Sequence, residues 1–383
     1  MIHNFVCNKC LFDSTVPELK VDTDGICNYC HLHDRFKKFH SRGQKGRFKL
    51  LNLVKKIKAS SGKKYDCIVG VSGGVDSSFT LYLAVRFGLK PLAVHIDNGW
   101  NSELAVENIQ NITDKLGVDL HTEVLNWKSF KDLQLSFLKA SVPDGEIPTD
   151  MTLISSLFKM ARKSGVSYVI AGFNTGAQGV SPIGWTYMDK KYIYSVQKKH
   201  GHESIKNINF LSISDLIYTT FVKRIRTVSF LENINYRTEK AKLILNKELG
   251  WRPYEGKHYE SIYTKFFQGY ILPQKFKIDK RKIYLSTLLR DGKISRENAD
   301  LELSTNPYPS KDDVEKDKQY VMKKLDINEQ EFSDIMKLPI KSYRDYDTYL
   351  SVINLFRYPI KVVCNLGILP LTFYEKYIKI LEK

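Results

Sequence analysis

The segment Val71-Ser72-Gly73-Gly74-Val75-Asp76-Ser77-Ser78 packs two adjacent glycines, three hydroxyls and a carboxylate into eight residues. Two glycines let a chain turn tightly and aim several peptide N–H groups at one point, which makes a seat for an anion. The Ser77 and Ser78 hydroxyls and the positive end of a following helix would complete that cradle. Asp76 adds a carboxylate able to hold Mg²⁺ against phosphates. A glycine turn with a serine cap is common after any strand, but the whole string asks for more than a turn. The Gly-x4-Gly-Lys pattern of a Walker A loop is absent.

A second constellation lies at the N-terminus. Cys7-Asn8-Lys9-Cys10 and Cys27-Asn28-Tyr29-Cys30 are separated by sixteen residues. Two C-x2-C knuckles at this spacing bring four thiolates to one tetrahedral ion, and zinc is the expected metal. Four thiolates leave no position for water, so the ion is expected to be structural. Disulfides are the alternative, and a reducing address argues against them.

The elements that position these residues follow from apolar patterning. Arg47 to Lys58 reads as a helix with Phe48, Leu51, Val54 and Ile57 on its apolar face, ended by Ser60-Ser61-Gly62. Strands are expected at Cys67–Val71, Leu92–Ile96, Leu120–Leu125, Tyr168–Phe173 and Phe210–Ile213. Helices are expected at Ser77–Phe87, Ser102–Leu116, Leu133–Lys139 and Thr152–Lys163. Continuous apolar strands alternating with helices imply a parallel sheet covered on both faces. The S-G-G-V-D-S-S string then falls at the carboxyl end of the first strand, where open α/β sheets bind ligands. Beyond Asp215 helical patterns take over: Leu216–Leu231, Glu239–Leu249, Tyr259–Tyr270, Ile283–Arg290, Asp312–Leu325, Glu329–Lys337 and Thr372–Lys383. The organisation expected is a zinc ribbon over 1–35, a basic linker helix over 36–62, an α/β domain over 63–215 and a helical domain over 216–383.

At 383 residues the chain has room for two or three domains, and 43% hydrophobic with 26% charged residues is ordinary for a folded protein. That composition excludes a disordered tail, a collagen-like chain and a small disulfide scaffold. The richest apolar stretch, Val352 to Leu371, is broken by Asn354, Arg357, Lys361 and Asn365, so no membrane partner is expected. Met1 to Lys9 lacks the pattern of a secretion signal, and a cytoplasmic address is the expectation. Net charge is +17, and His31–Lys64 carries twelve Lys/Arg against Asp34 alone. Such a run suits RNA, an acidic partner or phosphates, but a solvated linker helix explains it equally simply.

Ser72-Gly73-Gly74-Val75-Asp76-Ser77 resembles the S-G-G-x-D-S pyrophosphate loop of the ATP-pyrophosphatase (PP-loop) superfamily, with its adenine nucleotide alpha hydrolase-like fold. The resemblance implies cleavage of ATP between the α and β phosphates and adenylation of an acceptor oxygen. Val71, Ser72, Gly73, Gly74, Asp76, Ser77 and Ser78 would then hold ATP and its Mg²⁺, and His95, Asp97 and Asn98 would border adenosine. A closer resemblance spans most of the chain. The four-cysteine ribbon, the PP-loop and His95-Ile96-Asp97-Asn98-Gly99-Trp100 are similar to the N-acetyl sugar amidotransferases of bacterial surface-polysaccharide synthesis. So are Gly172-Phe173-Asn174-Thr175 with Gly179, Gly256-Lys257-His258-Tyr259-Glu260-Ser261, and Phe266-Phe267-Gln268-Gly269-Tyr270-Ile271-Leu272-Pro273. That family turns the acetamido group of a nucleotide-activated sugar into an acetamidino group, with ammonia displacing AMP. The resemblance departs at Gln178, where an acidic metal ligand is expected and a neutral side chain stands.

Gly172, Asn174 and Thr175 follow the fourth strand at the same carboxyl edge and are expected to face ATP or acceptor. Lys257 and Glu260 are candidate catalytic groups beside Ser72 and Asp76, with Ser261 near substrate and Lys265 as a second phosphate-neutralising cation. Trp100 and Trp185 offer stacking faces, although burial is the commoner fate of tryptophan. His95 at a strand end is more often structural than a base. Tyr187, Tyr192 and Tyr194 suggest a flap. Cys67 and Cys364 sit in apolar surroundings without a glutaminase elbow, so ammonia must be free or delivered. The family's partners, which resemble the glutaminase and barrel subunits of imidazole glycerol phosphate synthase, are the expected source. The competing reading is a tRNA-modifying PP-loop enzyme, a thiolase or a lysidine-type ligase. It explains the basicity, but a thiolase needs cysteines beyond the ribbon. Nucleic acid is therefore the less favoured partner. A nucleotide-binding scaffold without turnover is the third reading.

Overall fold

The computed structural model describes residues 5–39, 43–60, 64–174, 179–308, 310–369 and 371–378. Helices α1 (Asn28–Phe39) and α2 (Gly43–Ala59) precede β1 (Cys67–Gly70), α3 (Val75–Arg86), β2 (Pro91–Asp97), α4 (Glu103–Leu116) and β3 (Leu120–Val124). Next come α5 (Trp127–Ala140), α6 (Ile147–Ser164), β4 (Tyr168–Ile170), α7 (Lys190–His200), α8 (Ile213–Ile217) and β5 (Arg226–Val228). The strands form one parallel sheet in the order β3-β2-β1-β4-β5. From β1 the chain steps outward through β2 and β3, then returns to the other side of β1 as β4. The crevice between the carboxyl ends of β1 and β4 is therefore the topological switch point.

Local chemistry explains most boundaries. Ser102 caps α4 by accepting from the Ala105 N–H, and Gly117 ends it in the left-handed conformation (φ 62°). Asn126 caps α5 in the same way through the Ser129 N–H. Helix α6 covers one face of the sheet, with Leu157, Met160 and Ala161 on Ile68, Val94 and Val169. On the other face Phe79 and Leu81 of α3 and Ile109 of α4 meet Val69 and Ile170, together with Leu245 of α9 (Thr238–Leu249).

The fifth strand departs from expectation. Phe210–Ile213 is not a strand, because Ser212 and Asp215 form a reciprocal capping box that starts α8. The expected helix over 216–231 passes through a π turn at Tyr218–Val222 and stops near Arg224, whose φ of 53° no helix accepts. The chain then enters β5 beside β4. The sheet thus draws its last strand, and α9 against α3, from beyond residue 215. The apolar face of α2 is also rotated: Gly46, Leu50, Val54 and Ile57 are buried, while Phe48 and Leu51 are exposed.

The C-terminal part is helical: α10 (Ile262–Phe266) runs into a π-helical stretch, Phe267–Phe276, that accommodates Pro273. It continues through α11 (Arg281–Arg290), α12 (Arg296–Ser304), α13 (Lys311–Leu325), α14 (Glu329–Lys337), α15 (Leu350–Leu355), α16 (Arg357–Asn365) and α17 (Leu371–Tyr377). The cysteine knuckles share its core: Phe12, Tyr29 and Phe36 join Trp185, Tyr187, Tyr263 and Phe266 in one apolar cluster. Tyr187 stacks on Tyr343 at 4.4 Å and Tyr192 is buried on α7, so these tyrosines are core and not a flap. No helix among the described residues is long and apolar enough to cross a membrane.

In the turn between α5 and α6, Asp144 is buried and accepts a hydrogen bond from the Tyr192 hydroxyl at 2.7 Å. Burial pushes its carboxyl up to about 7. A raised carboxyl contributes stability that is full below the unfolded value near 4 and is lost as pH rises toward 7. Asp144→Asn should therefore gain on the wild type by about 2–4 °C in Tm between pH 5 and pH 8. A difference in Tm that does not change across this range would contradict an ionising buried Asp144.

Candidate functional site: a PP-loop cleft and a four-cysteine knuckle

The loop between β1 and α3 is held from several sides. Gly73 takes φ 81°, and its carbonyl accepts from Trp251 Nε1 at 2.8 Å and the Tyr254 hydroxyl at 3.1 Å. A trans peptide places N–H and C=O on opposite sides, so fixing the Gly73 carbonyl also fixes the direction of the Gly74 N–H. Ser77 Oγ accepts from the Ser72 N–H at 3.2 Å and donates to the Gly74 carbonyl at 3.1 Å, closing the loop on itself. Gly74 is the N-cap of α3 and brings no capping side chain, so the first-turn N–H groups keep their capacity for an anion. The Tyr236 hydroxyl donates to Asp76 Oδ1. Ser78 lies 1% exposed on the inner face of α3, so Ser72 and Ser77 present the loop's accessible hydroxyls and Ser78 does not. Val71 is buried, with its N–H on the Val94 carbonyl.

The far wall comes from the C-terminal part. An antiparallel bridge joins Asn101 to Ser261, with the Ser102 N–H on the Glu260 carbonyl and the Ile262 N–H on the Trp100 carbonyl, both at 2.9 Å. It sets Glu260 so close to the loop that a Cβ on Gly74 would fall 2.1 Å from Glu260 Oε1. Desolvation raises the Glu260 carboxyl above the ordinary range; the Asp76 charge adds to this and Lys257 opposes it. Lys257 Nζ lies 4.3 Å from the centre of the Tyr284 ring. Desolvation lowers its ammonium against the pull of Asp76, Glu260 and Glu302. His258, at φ 65°, feels the charges of the Glu146–Lys280 ion pair (2.6 Å), and desolvation pushes its imidazole down to about 3. Lys257 and His258 keep water-accessible area although protein surrounds them closely, as expected of the walls of a cleft.

Several expected contacts are spent elsewhere. Lys265 pairs with Asp317 at 2.8 Å, and the Ser261 hydroxyl caps α10 through the Thr264 N–H, so neither is presented to a ligand. His95 Nδ1 meets the Val71 carbonyl at 3.0 Å and Asn101 Nδ2 meets His95 Nε2 at 3.1 Å, while desolvation lowers the His95 imidazole. Asn98 donates to Thr149 and accepts from the Trp100 N–H, and Asp97 accepts from the Gly99 N–H. The His95–Trp100 turn thus braces β2 against α6; its histidine and asparagine do not offer free edges to adenosine. Trp100 and Trp185 are fully buried.

After β4, Gly172 passes so near the start of α3 that a Cβ would lie 2.9 Å from Ser77 N and 3.0 Å from the Asp76 carbonyl carbon. Asn174 is buried at the same edge. Thr175 and Gln178 lie outside the described residues. The structure therefore brings Ser72, Gly73, Gly74, Asp76, Ser77, Gly172, Lys257 and Glu260 to one cleft. Sequence reasoning missed Trp251 and Tyr254, whose local signal is the helix stop Gly250, and Tyr236, which lies just before that helix.

The four cysteines converge separately. Their Sγ atoms all lie within 4.8 Å of one another, with Cys7–Cys30 and Cys10–Cys27 at 3.7 Å and Cys27–Cys30 at 3.6 Å. A tetrahedron with metal–sulfur bonds of about 2.3 Å has edges of about 3.8 Å, so the thiolates fit one mononuclear ion. None of these four is joined in a disulfide, which overturns the disulfide alternative.

With this geometry in hand, comparison with known proteins gives two family matches. Residues 66–175 match the queuosine biosynthesis protein QueC family, and residues 260–358 match the family described as LPS biosynthesis protein WbpG-like, C-terminal domain. An uncharacterized protein of Methanocaldococcus jannaschii is 28% identical over 172 residues, 43% of this chain and 58% of that protein. The tRNA-specific 2-thiouridylase MnmA 2 of Fusobacterium nucleatum is 26% identical over 118 residues, 29% of this chain and 34% of that enzyme. The chain thus spans less than two thirds of either relative's length. Among solved structures, the U34-tRNA thiolase NcsA of Methanococcus maripaludis, with its 4Fe-4S cluster, aligns over 83% of this chain and 88% of its own at 13% identity and a TM-score of 0.32. The chain joins a QueC-like PP-loop domain to a WbpG-like C-terminal domain.

Gly172→Ala should weaken ATP binding at least about tenfold in calorimetric titration while leaving far-UV dichroism unchanged, because backbone atoms cannot yield to the added methyl. Unchanged affinity would show that the close approach of β4 is not needed. Elemental analysis should find one metal ion per chain, lost in Cys10→Ser together with order in the first thirty-odd residues.

Proposed function

We propose that the protein is an ATP-dependent N-acetyl sugar amidotransferase acting on a nucleotide-activated sugar in bacterial surface-glycan synthesis. The observation that carries this reading is the position of Glu260. It is the first residue of the WbpG-like segment, and it packs directly on Gly74 of the PP-loop. The domain that distinguishes the chain from other PP-loop proteins thereby forms the acceptor side of the ATP cleft.

The chemistry suits the groups present. An amide carbon resists ammonia because its oxygen leaves poorly. In the proposed reaction the acetamido oxygen attacks the α-phosphorus of ATP, the bond to the β-phosphate oxygen breaks, and pyrophosphate departs. Ammonia then adds to the activated carbon, loses a proton, and expels AMP carrying the former amide oxygen. The products are the acetamidino sugar, AMP and pyrophosphate. The loop amides of Gly73 and Gly74 with Ser72 and Ser77 hold the departing pyrophosphate, and Asp76 is the carboxylate for Mg²⁺. Lys257 stabilises charge growing on the phosphates, and Glu260, raised by desolvation, takes the proton from the attacking nitrogen. Zinc is the metal assigned to Cys7, Cys10, Cys27 and Cys30, on the strength of their mononuclear spacing. Cys67 and Cys364 are both buried, with thiols raised by burial, and neither is placed to release ammonia from glutamine. Ammonia is therefore supplied free or by a glutaminase-type partner with its barrel subunit.

The same two buried cysteines count against a thiolase, which would need catalytic or cluster-binding cysteines beyond the knuckle. The test supplies ATP, Mg²⁺ and ammonium chloride with a panel of nucleotide-linked N-acetyl sugars, and bulk tRNA in parallel. Sugar-dependent pyrophosphate release with a product about one mass unit lighter is expected, and Asp76→Asn should lower it at least about a hundredfold with little loss of fold. Release with tRNA alone would contradict the assignment and point to RNA modification.

A further inference from the structure

Helix α11 lies between the metal knuckle and the ATP cleft, and its faces are divided between them. Lys282, Ser286 and Arg290, four residues apart, share one face. Lys282 pairs with Asp13, and Ser286 Oγ accepts from the Leu11 N–H at 3.2 Å. Arg290 donates to Cys30 Sγ through Nε at 3.2 Å and to Cys10 Sγ through a terminal nitrogen at 3.1 Å. Tyr284, two residues on from Lys282 and so on the opposite side, carries the ring under Lys257 Nζ. Ile283 and Thr287 form the stripe between. A Cβ on Gly179 would meet Thr287 Oγ1 at 2.5 Å and Ile283 at 2.9 Å, so Gly179 is seated there.

Four thiolates around a divalent ion carry two surplus negative charges, and a guanidinium bonded to two of them offsets one. The bond therefore strengthens when the ion is bound. We infer that Arg290 is a positioning residue: it locks α11 to the loaded metal knuckle, and α11 in turn, through the Tyr284 ring, sets Lys257 at the wall of the cleft. The metal ion thus shapes the acceptor wall of a cleft it never touches. The inference rests on the proposed function for its kinetic consequence, but its structural consequence stands independently.

The test uses the zinc-loaded full-length chain and Arg290→Gln. Zinc per chain, hydrogen exchange over 256–261 and 283–287, and kcat and KM for ATP in pyrophosphate release are compared. Zinc should be retained, exchange over 256–261 should quicken about tenfold, and kcat should fall with KM for ATP held within about twofold. A knuckle that merely stabilised the chain would loosen its own first thirty residues and leave 256–261 and the KM-to-kcat split unmoved. If Arg290→Gln sheds zinc, Lys282→Ala, which touches no thiolate, must quicken the same exchange. Unchanged exchange over 256–261 in a zinc-retaining variant overturns the inference. Quickened exchange without pyrophosphate release from any sugar, even in the unaltered chain, upholds the inference and overturns the proposed function alone.

Discussion

The Gly73–Gly74 peptide is the point on which the cleft's geometry depends, because three distant parts of the chain are packed to the limit of contact around it. Trp251 and Tyr254 fix the carbonyl of Gly73 from behind, Glu260 occupies the volume that a side chain at 74 would need, and Gly172 passes against the first turn of α3. Each neighbour comes from a different level of the fold: the sheet's return strand, the segment that follows α9, and the bridge that opens the WbpG-like domain. An anion seat built this way needs little reorganisation when phosphate arrives, since its N–H groups are already held in direction.

Electrostatics divide along the same line. Asp76 and Glu260 face one cleft and both act electrostatically on Lys257, while desolvation raises the Glu260 carboxyl and lowers the Lys257 ammonium. On the proposed reading such a site would take a polyphosphate with its divalent cation and leave a carboxylate able to take a proton. The basic N-terminal stretch does different work. Arg35 pairs with Glu375 and Lys37 with Asp291, so part of its charge joins α1 to the C-terminal part, while Lys9 of the first knuckle pairs with Asp34 of α1.

What could be read from sequence was chemistry confined to short spacings. The two glycines of the loop and the two C-x2-C knuckles declare themselves because the residues that must meet are neighbours in the chain. The first four strands were legible from continuous apolar runs. The fifth was not: Arg226–Val228 has three residues, too few for a pattern, while Phe210–Ile213 looked more strand-like until the Ser212–Asp215 capping box competed for its backbone. Tyr187 and Tyr192 alternate like a flap, yet they are core, because aromatic burial is decided by partners such as Tyr343 far along the chain. Trp251, Tyr254 and Arg290 were invisible for the same reason, as each acts on a group more than 170 residues away.

The central claim is that the amide oxygen of the acceptor becomes bonded to the α-phosphorus of ATP. It is tested most directly with an N-acetyl sugar nucleotide carrying ¹⁸O in its acetamido carbonyl, turned over with ATP and ammonia. The account predicts one ¹⁸O in the phosphoryl group of AMP for each acetamidino group formed. AMP free of label, with ¹⁸O in water or still on the sugar, would contradict it.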